Sequence, residues 1–259
     1  MILRLRIIND GPRDAAFNMA ADRYLLEQAA NHPAVFWRLY SWSPPAISLG
    51  CMQRPGAILD NEAMTENNVE WVMRPTGGRS VLHWNDLTYA FIFPANEENL
   101  GRTISQSYSV VSRCLMRGFT LAGIPCESHD SAAEYAATRR EMKLPCFLSP
   151  NRGEIMAAGK KLVGSAQKRT AAAVLQHGSI PLDASFRRLP EFLSLSQEER
   201  TRQRMLLEIK CICVNEINPA VDYEKLSACL IKGFTEILKF SAFEKPWNEK
   251  ELKEIRELF

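Results

Sequence analysis

The chain has 259 residues, of which 46% are hydrophobic and 24% charged, with a formal net charge of +2. That composition is ordinary for a folded globular domain, and so even a charge balance gives no electrostatic case for nucleic acid or an anionic membrane surface. No apolar run reaches the length of a membrane span, and the opening MILRLRIINDGPRDAAFNMA lacks the apolar centre of an export signal. The seven cysteines (51, 114, 126, 146, 211, 213 and 229) contain no CxxC pair, so no zinc ribbon, redox dithiol or other metal site is expected, and a reducing cytoplasm is the expected setting.

The elements follow in order. Ile2–Ile8 alternates apolar and basic residues and predicts a half-buried strand, closed by a turn at Asn9–Pro12. Ala15–Ala30 has the spacing of an amphipathic helix. Strands are predicted at Val35–Tyr40, Ala46–Gly50 and Val69–Met73, with a weak helix at Asn61–Asn68 between the last two. Ser80–His83 and Asp86–Phe93 are two more strands, and Ser105–Ala122 is a strong helix. Cys126–Lys143 is polar and poorly periodic and reads as loop. Strands return at Gly153–Ala158, Lys161–Ala166 and Ala173–Leu182. From about residue 190 the pattern is helical: Phe192–Ile209, Asp222–Lys239 and Lys250–Phe259. Cys211 and Cys213 are expected on opposite faces of a strand. The fold class is α/β (α+β), a mixed central sheet flanked by helices. A catalytic domain over 1–189 is followed by a helical C-terminal extension, 190–259, packed on it.

Two stretches carry chemistry. The first is RPTGGRSVLH, residues 74–83. Adjacent glycines let a ligand approach the backbone closely, and Arg74 and Arg79 flank them as partners for an anionic group. The plainer reading is a hairpin turn with solvated arginines. It matches neither GxGxxG nor GxxxxGK[ST], so no nucleotide fingerprint applies.

The second is Lys143–Asp183, which offers the Cys146 thiol between Pro145 and Phe147, the Lys161 amine within GKKLVGSAQ, and the His177 imidazole within LQHGS. Thiol, amine and imidazole together are the inventory of covalent acyl transfer. A free thiol is only about 3% thiolate at neutral pH, and a neighbouring ammonium raises that fraction. The same ammonium steadies the oxyanion formed on attack. Against this, a lone cysteine such as Cys146 reads more readily as apolar filler, and His177 reads equally as a core histidine. Lys160 and Lys161 face opposite ways on a strand, and spacing does not say which is solvated.

Taken together, FNMAADRYLLE (17–27), RPTGGRSVLHWNDLTYAF (74–91), GKKLVGSAQKR (159–169) and LQHGSIPLD (175–183) resemble the biotin/lipoate A/B protein ligase family. The segments come in that family's order and cover most of residues 1–190. PCFLSPNRGEIMAAGKK is similar to the nucleophile segment of its ligase-like octanoyltransferases, and Arg79 after the two glycines also fits them. The resemblance implies Cys146 and Lys161 as catalytic residues. It implies an acyl and carrier pocket at Arg74, Thr76, Gly77, Gly78, Arg79, His83, Gly164, Ser165, Ala166 and His177. Met73 stands where many members have a second arginine.

What the resemblance implies is protein lipoylation: octanoate passes from octanoyl-acyl carrier protein, through a Cys146 thioester, to a lysine of a lipoyl domain or H-protein-like carrier. His83 is a candidate to deprotonate that lysine. No cofactor is expected on this route. Two alternatives stay open. One is an ATP-dependent lipoate-protein ligase, which uses ATP and Mg and forms lipoyl-AMP. The other is a non-catalytic carrier-binding protein.

Overall fold

The computed structural model describes residues 4–129 and 154–259. Strand β1 (Arg4–Arg13) leads to helix α1 (Ala15–Asn31), β2 (Val35–Trp42) and β3 (Ala46–Leu49). Helix α2 (Asn61–Glu66), β4 (Glu70–Met73), β5 (Val81–His83), β6 (Asp86–Pro94) and α3 (Ile104–Leu121) follow. Then come β7 (Glu127–His129), β8 (Glu154–Ala157), β9 (Lys160–Lys161), β10 (Gly164–Arg169) and β11 (Ala173–Pro181). The chain continues through α4 (Gln197–Lys210), α5 (Val214–Ile217), α6 (Tyr223–Leu238), β12 (Ser241–Glu244) and α7 (Glu249–Arg256).

The main sheet has six strands in the order β10-β11-β6-β2-β1-β12. It is mixed: β1 runs parallel to β2 and β12, and β2, β6, β11 and β10 alternate in direction. Two three-stranded sheets, β4-β3-β5 and β7-β8-β9, flank it. The fold is the mixed α/β architecture expected.

The central strands are buried on both faces, which explains why they read as nearly continuous apolar runs. Their alternation sorts side chains between two cores. Val35, Trp37, Leu39, Tyr89 and Phe91 face α3 and α6, and the Trp37 ring stacks on Phe234 at 3.6 Å. Phe36, Tyr40, Ala90, Ile92 and Leu175 face α1. Helices α3 and α6 touch through glycine: a Cβ on Gly233 would lie 2.5 Å from the Gly118 nitrogen.

Helix α1 begins where Asp14 accepts from the Phe17 amide, and α3 begins with a capping box of Thr103 and Gln106.

Several expectations are revised. Asn9–Pro12 is a bulge within β1, not a turn: the register shifts between Asn9 and Gly11, and Gly11 takes φ +67°. The expected strand at 161–166 divides into β9 and β10. Glu127–His129 pairs with β8 where loop was expected. Cys211 caps the end of α4 and Cys213 the start of α5, so the two are not on a strand. The C-terminal region is not wholly helical, since β12 joins the main sheet beside β1. At that edge the Arg4 guanidinium lies over the Phe243 ring.

Candidate active site

The α1 face of the sheet carries, among its apolar residues, a stripe of polar ones. Arg38, Tyr40 and Trp42 come from β2, Asp86 and Thr88 from β6, and His177 and Ser179 from β11. The register places Ala90 beside both Arg38 and His177, and Thr88 beside both Tyr40 and Ser179. Strand β5 and the glycine turn close over this stripe. They border a narrow, partly open cavity. Met19, Trp42 and Val81 give it an apolar lining, and the backbone of Gly164–Ala166 forms one wall.

Two hydroxyl–imidazole–carboxylate chains border the cavity. In one, Thr76 Oγ1 lies 2.7 Å from His177 Nε2, and His177 Nδ1 lies 2.9 Å from Asp22 Oδ2. In the other, Ser48 Oγ lies 2.9 Å from His83 Nε2, and His83 Nδ1 lies 2.8 Å from Asp86 Oδ2. Each carboxylate only accepts, so each Nδ1 carries a proton and donates it to its carboxylate. Burial depresses the His177 pKa; the hydrogen bond and charge of Asp22 oppose the shift, and Arg74 and His83 add to it. His177 is therefore neutral at physiological pH. His83 stacks on Trp42 at 4.1 Å, and Trp42 Nε1 donates to Thr88 Oγ1.

Asp22 belongs to a larger buried network. Its Oδ1 accepts from Arg38 Nη1 at 3.0 Å and its Oδ2 from the Tyr40 hydroxyl at 3.0 Å. Arg38 also pairs with Asp10 at 2.9 Å and donates to Asn18 Oδ1 at 2.7 Å. Burial works against the Arg38 charge, but Asp22 and Asp10 outweigh it and raise its pKa. Asp10 accepts from Trp247 Nε1 as well, so the C-terminal segment reaches the same network.

The sequence-predicted residues converge in part. Arg74, His83, Gly164, Ser165, Ala166 and His177 line the cavity. Thr76 and Gly77 line an adjoining open groove. Gly78 takes φ +97°, and its carbonyl presses on Gly50, where a Cβ would lie 2.1 Å away. The contact explains glycine at position 50, and the positive φ explains it at 78.

Arg74 departs from the expectation of an anion partner. It is buried, and its guanidinium donates to the Ser48 carbonyl and hydroxyl and to the Gly77 and Arg79 carbonyls. It braces the turn from behind. Arg79, half-buried in the turn, contributes the carbonyl at the end of that brace.

Lys161 is the buried member of the lysine pair, 4% exposed, with Nζ 2.5 Å from Glu154 Oε1. It lies on β9, three residues before the cavity wall begins at Gly164. Lys160 Nζ donates to the Glu208 carbonyl. Cys146 lies outside the described residues.

Sequence reasoning missed Asp22, Arg38, Ser48, Asp86, Thr88 and Gly178. A Cβ on Gly178 would lie 2.7 Å from the Gly164 carbonyl oxygen and from a Tyr89 ring carbon, so glycine there permits the close β10–β11 approach. Asp22 and Arg38 had one visible signal, a charge within an otherwise apolar helix or strand pattern.

Residues 14–235 match the lipoyl protein ligase A/B catalytic domain model. Octanoyltransferase LipM of Kyrpidia tusciae is 35% identical over 90% of this chain and 86% of that protein. Octanoyltransferase LipM of Bacillus cereus is 33% identical over 97% of this chain and 92% of that protein. The backbone matches a crystal structure of lipoate-protein ligase A bound with ATP (TM-score 0.79, 20% identity, covering 98% of this chain and 94% of that one). It also matches the bi-partite lipoate protein ligase of Thermoplasma acidophilum (TM-score 0.79, 18% identity, 100% and 92%). The chain belongs to the lipoyl protein ligase A/B catalytic domain family.

Proposed function

We propose that this protein is an octanoyltransferase of protein lipoylation. It takes octanoate from octanoyl-acyl carrier protein and delivers it to a lysine of a lipoyl domain or an H-protein-like carrier. The Cys146 thiolate attacks the thioester carbon, the donor's C–S bond breaks, and the donor leaves as a thiolate that takes a proton from solvent. The carrier ε-amine, as free base, then attacks octanoyl-Cys146. A C–N bond forms, the enzyme's C–S bond breaks, and the amine proton passes to a base as the Cys146 thiolate is released. Lys161 donates to the carbonyl oxygen as charge gathers there. His83 is the candidate base. The incoming thioester is already activated, so neither ATP nor Mg nor any other cofactor enters. The setting is the cytoplasm, with no part for nucleic acid or membrane; no helix among the described residues is long and apolar enough to cross one.

The observation that carries this reading is the cavity: a small, apolar-lined space beside the glycine turn, in a chain aligned over nearly its full length with octanoyltransferases. The other thiols support it by contrast. Burial pushes Cys114 and Cys211 up to about 12 and Cys126 and Cys213 up to about 11, which keeps them protonated. Cys51, exposed on the groove, is a competing thiol.

Intact-protein mass spectrometry after mixing with octanoyl-acyl carrier protein, without ATP, tests the reading. The wild type and Cys51→Ser gain an octanoyl adduct that hydroxylamine removes, and Cys146→Ser does not. An adduct on Cys146→Ser ends the proposed mechanism. Modification of a lipoyl domain only when lipoate and ATP are supplied makes the protein a ligase.

A further inference from the structure

The open groove beside the acyl cavity differs from it in charge. It lies between α1, the glycine turn and the outer end of β10. Its lining contains four cationic residues, Arg23, Arg74, Lys168 and Arg169, against one carboxylate, Glu27. That is a local excess in a chain whose net charge is only +2. Two of the four are committed: Arg74 braces the turn, and Arg169 donates to the Gly101 carbonyl and to Ser107. Arg23 and Lys168 are exposed, from opposite walls, and neither forms an ion pair among the described residues.

The groove and the cavity share Arg74. They also meet at the Thr76–His177 hydrogen bond and along β10, where Ala166 lines the cavity and Gln167 and Lys168 the groove. A ligand with an apolar tail in the cavity therefore carries its remaining length through a field of positive charge. Such a field attracts anions and steers their approach.

We propose that this groove binds the phosphate of the acyl donor's pantetheine arm, with Arg23 and Lys168 as its cationic contacts. The inference rests on the octanoyl-thioester reading above and adds to it the face on which the donor docks. Both side chains are solvent-facing, so replacing them leaves the fold intact, and thermal unfolding verifies this.

The test is calorimetric titration of the full chain with 4′-phosphopantetheine, with pantetheine lacking the phosphate, and with AMP. The wild type binds phosphopantetheine about tenfold more tightly than pantetheine, the effect of one charge-assisted hydrogen bond. In the Arg23→Glu/Lys168→Glu double variant that preference disappears. Equal affinity of the two arms in the wild type, or a preference that survives the double reversal, overturns the proposal. AMP binding more tightly than phosphopantetheine also overturns it, and assigns the cations to an adenylate. The octanoyl adduct is read separately. A chain that binds the phosphorylated arm through these cations yet forms no adduct keeps the groove assignment and loses the transferase reading.

Discussion

Replacing Asp22 by alanine tests whether the buried network holds the site together. Asp22 is fully buried and serves three donors: Arg38 Nη1 at 3.0 Å, the Tyr40 hydroxyl at 3.0 Å and His177 Nδ1 at 2.9 Å. Alanine leaves all three without that acceptor, in a space too small to hydrate freely. Each orphaned donor costs about 1–3 kcal/mol, and breaking a buried ion pair costs about 3–5 kcal/mol. These costs overlap, because Arg38 keeps Asp10 and Asn18. The expected loss is therefore about 3–5 kcal/mol, a large share of a typical domain's stability of about 5–15 kcal/mol. Asp22→Asn keeps one acceptor oxygen and is expected to lose less. Its amide NH₂ faces either Arg38 or His177; facing His177, it turns Nδ1 into an acceptor and moves the ring proton to Nε2. Urea unfolding at neutral pH measures the stability change, and imidazole ¹⁵N shifts report the tautomer. A loss under about 1 kcal/mol for Asp22→Ala would refute the reasoning, because an exposed carboxylate gives that much.

The pH dependence follows from His177. Burial lowers its folded-state pKa below the ordinary value of about 6.5, so the unfolded chain binds more protons as pH falls. The contribution is fully present above about pH 6.5 and is lost as pH falls from there through the folded pKa. Stability of the wild type should decline below about pH 6.5, and His177→Gln should flatten that part of the profile; an unchanged slope would remove His177 as its source. Gly233→Ala inserts a methyl 2.5 Å from the Gly118 nitrogen and 2.7 Å from the Cys114 carbonyl oxygen. Both are backbone atoms, so α3 and α6 must separate, at a cost of about 1–3 kcal/mol read as a lowered Tm. Gly178→Ala meets backbone as well, and it should weaken octanoyl adduct formation by displacing β10 from the cavity wall.

Most of the sheet was legible because its signal is local. β6 and β11 are bounded apolar runs, and α3 carries the 3.6-residue period. The misreadings share a cause in tertiary pairing. Asn9–Pro12 has turn chemistry, yet pairing with β2 draws the chain through as a bulge. Ser241–Glu244 has no independent strand signal, and β1 recruits it. At the site, the glycine turn and the GSA wall stood out because they break pattern. The carboxylates that orient the two histidines did not. Asp22 precedes His177 by 155 positions. Its role exists only once α1 lies across β11, and no spacing within the sequence encodes that meeting. Arg74 was visible but its task was not: an arginine beside glycines suggests an anion site, and only the folded turn shows it donating to carbonyls.

That reversal of Arg74 bears on what the cavity accepts. The polar groups around the cavity are largely satisfied by one another. Arg74 donates to the Ser48, Gly77 and Arg79 carbonyls, the Ser48 hydroxyl and His83 Nε2 share a hydrogen bond, and His83 Nδ1 donates to Asp86. Thr88 and Ser179 donate to the same Asp86 oxygen, at 2.9 and 2.5 Å, and the other oxygen, Asp86 Oδ1, has no partner among the described residues. An anion entering there meets a surplus acceptor and no uncommitted donor in these chains, while a hydrocarbon meets Met19, Trp42 and Val81 and disturbs no hydrogen bond. The cavity thus selects the apolar end of a ligand, and the charge belongs outside it, where Arg23 and Lys168 stand. On the proposed transfer, the reacting carbonyl belongs at the boundary between the two, near Thr76 and Ala166, because there an apolar chain buried on one side meets an anionic arm solvated on the other.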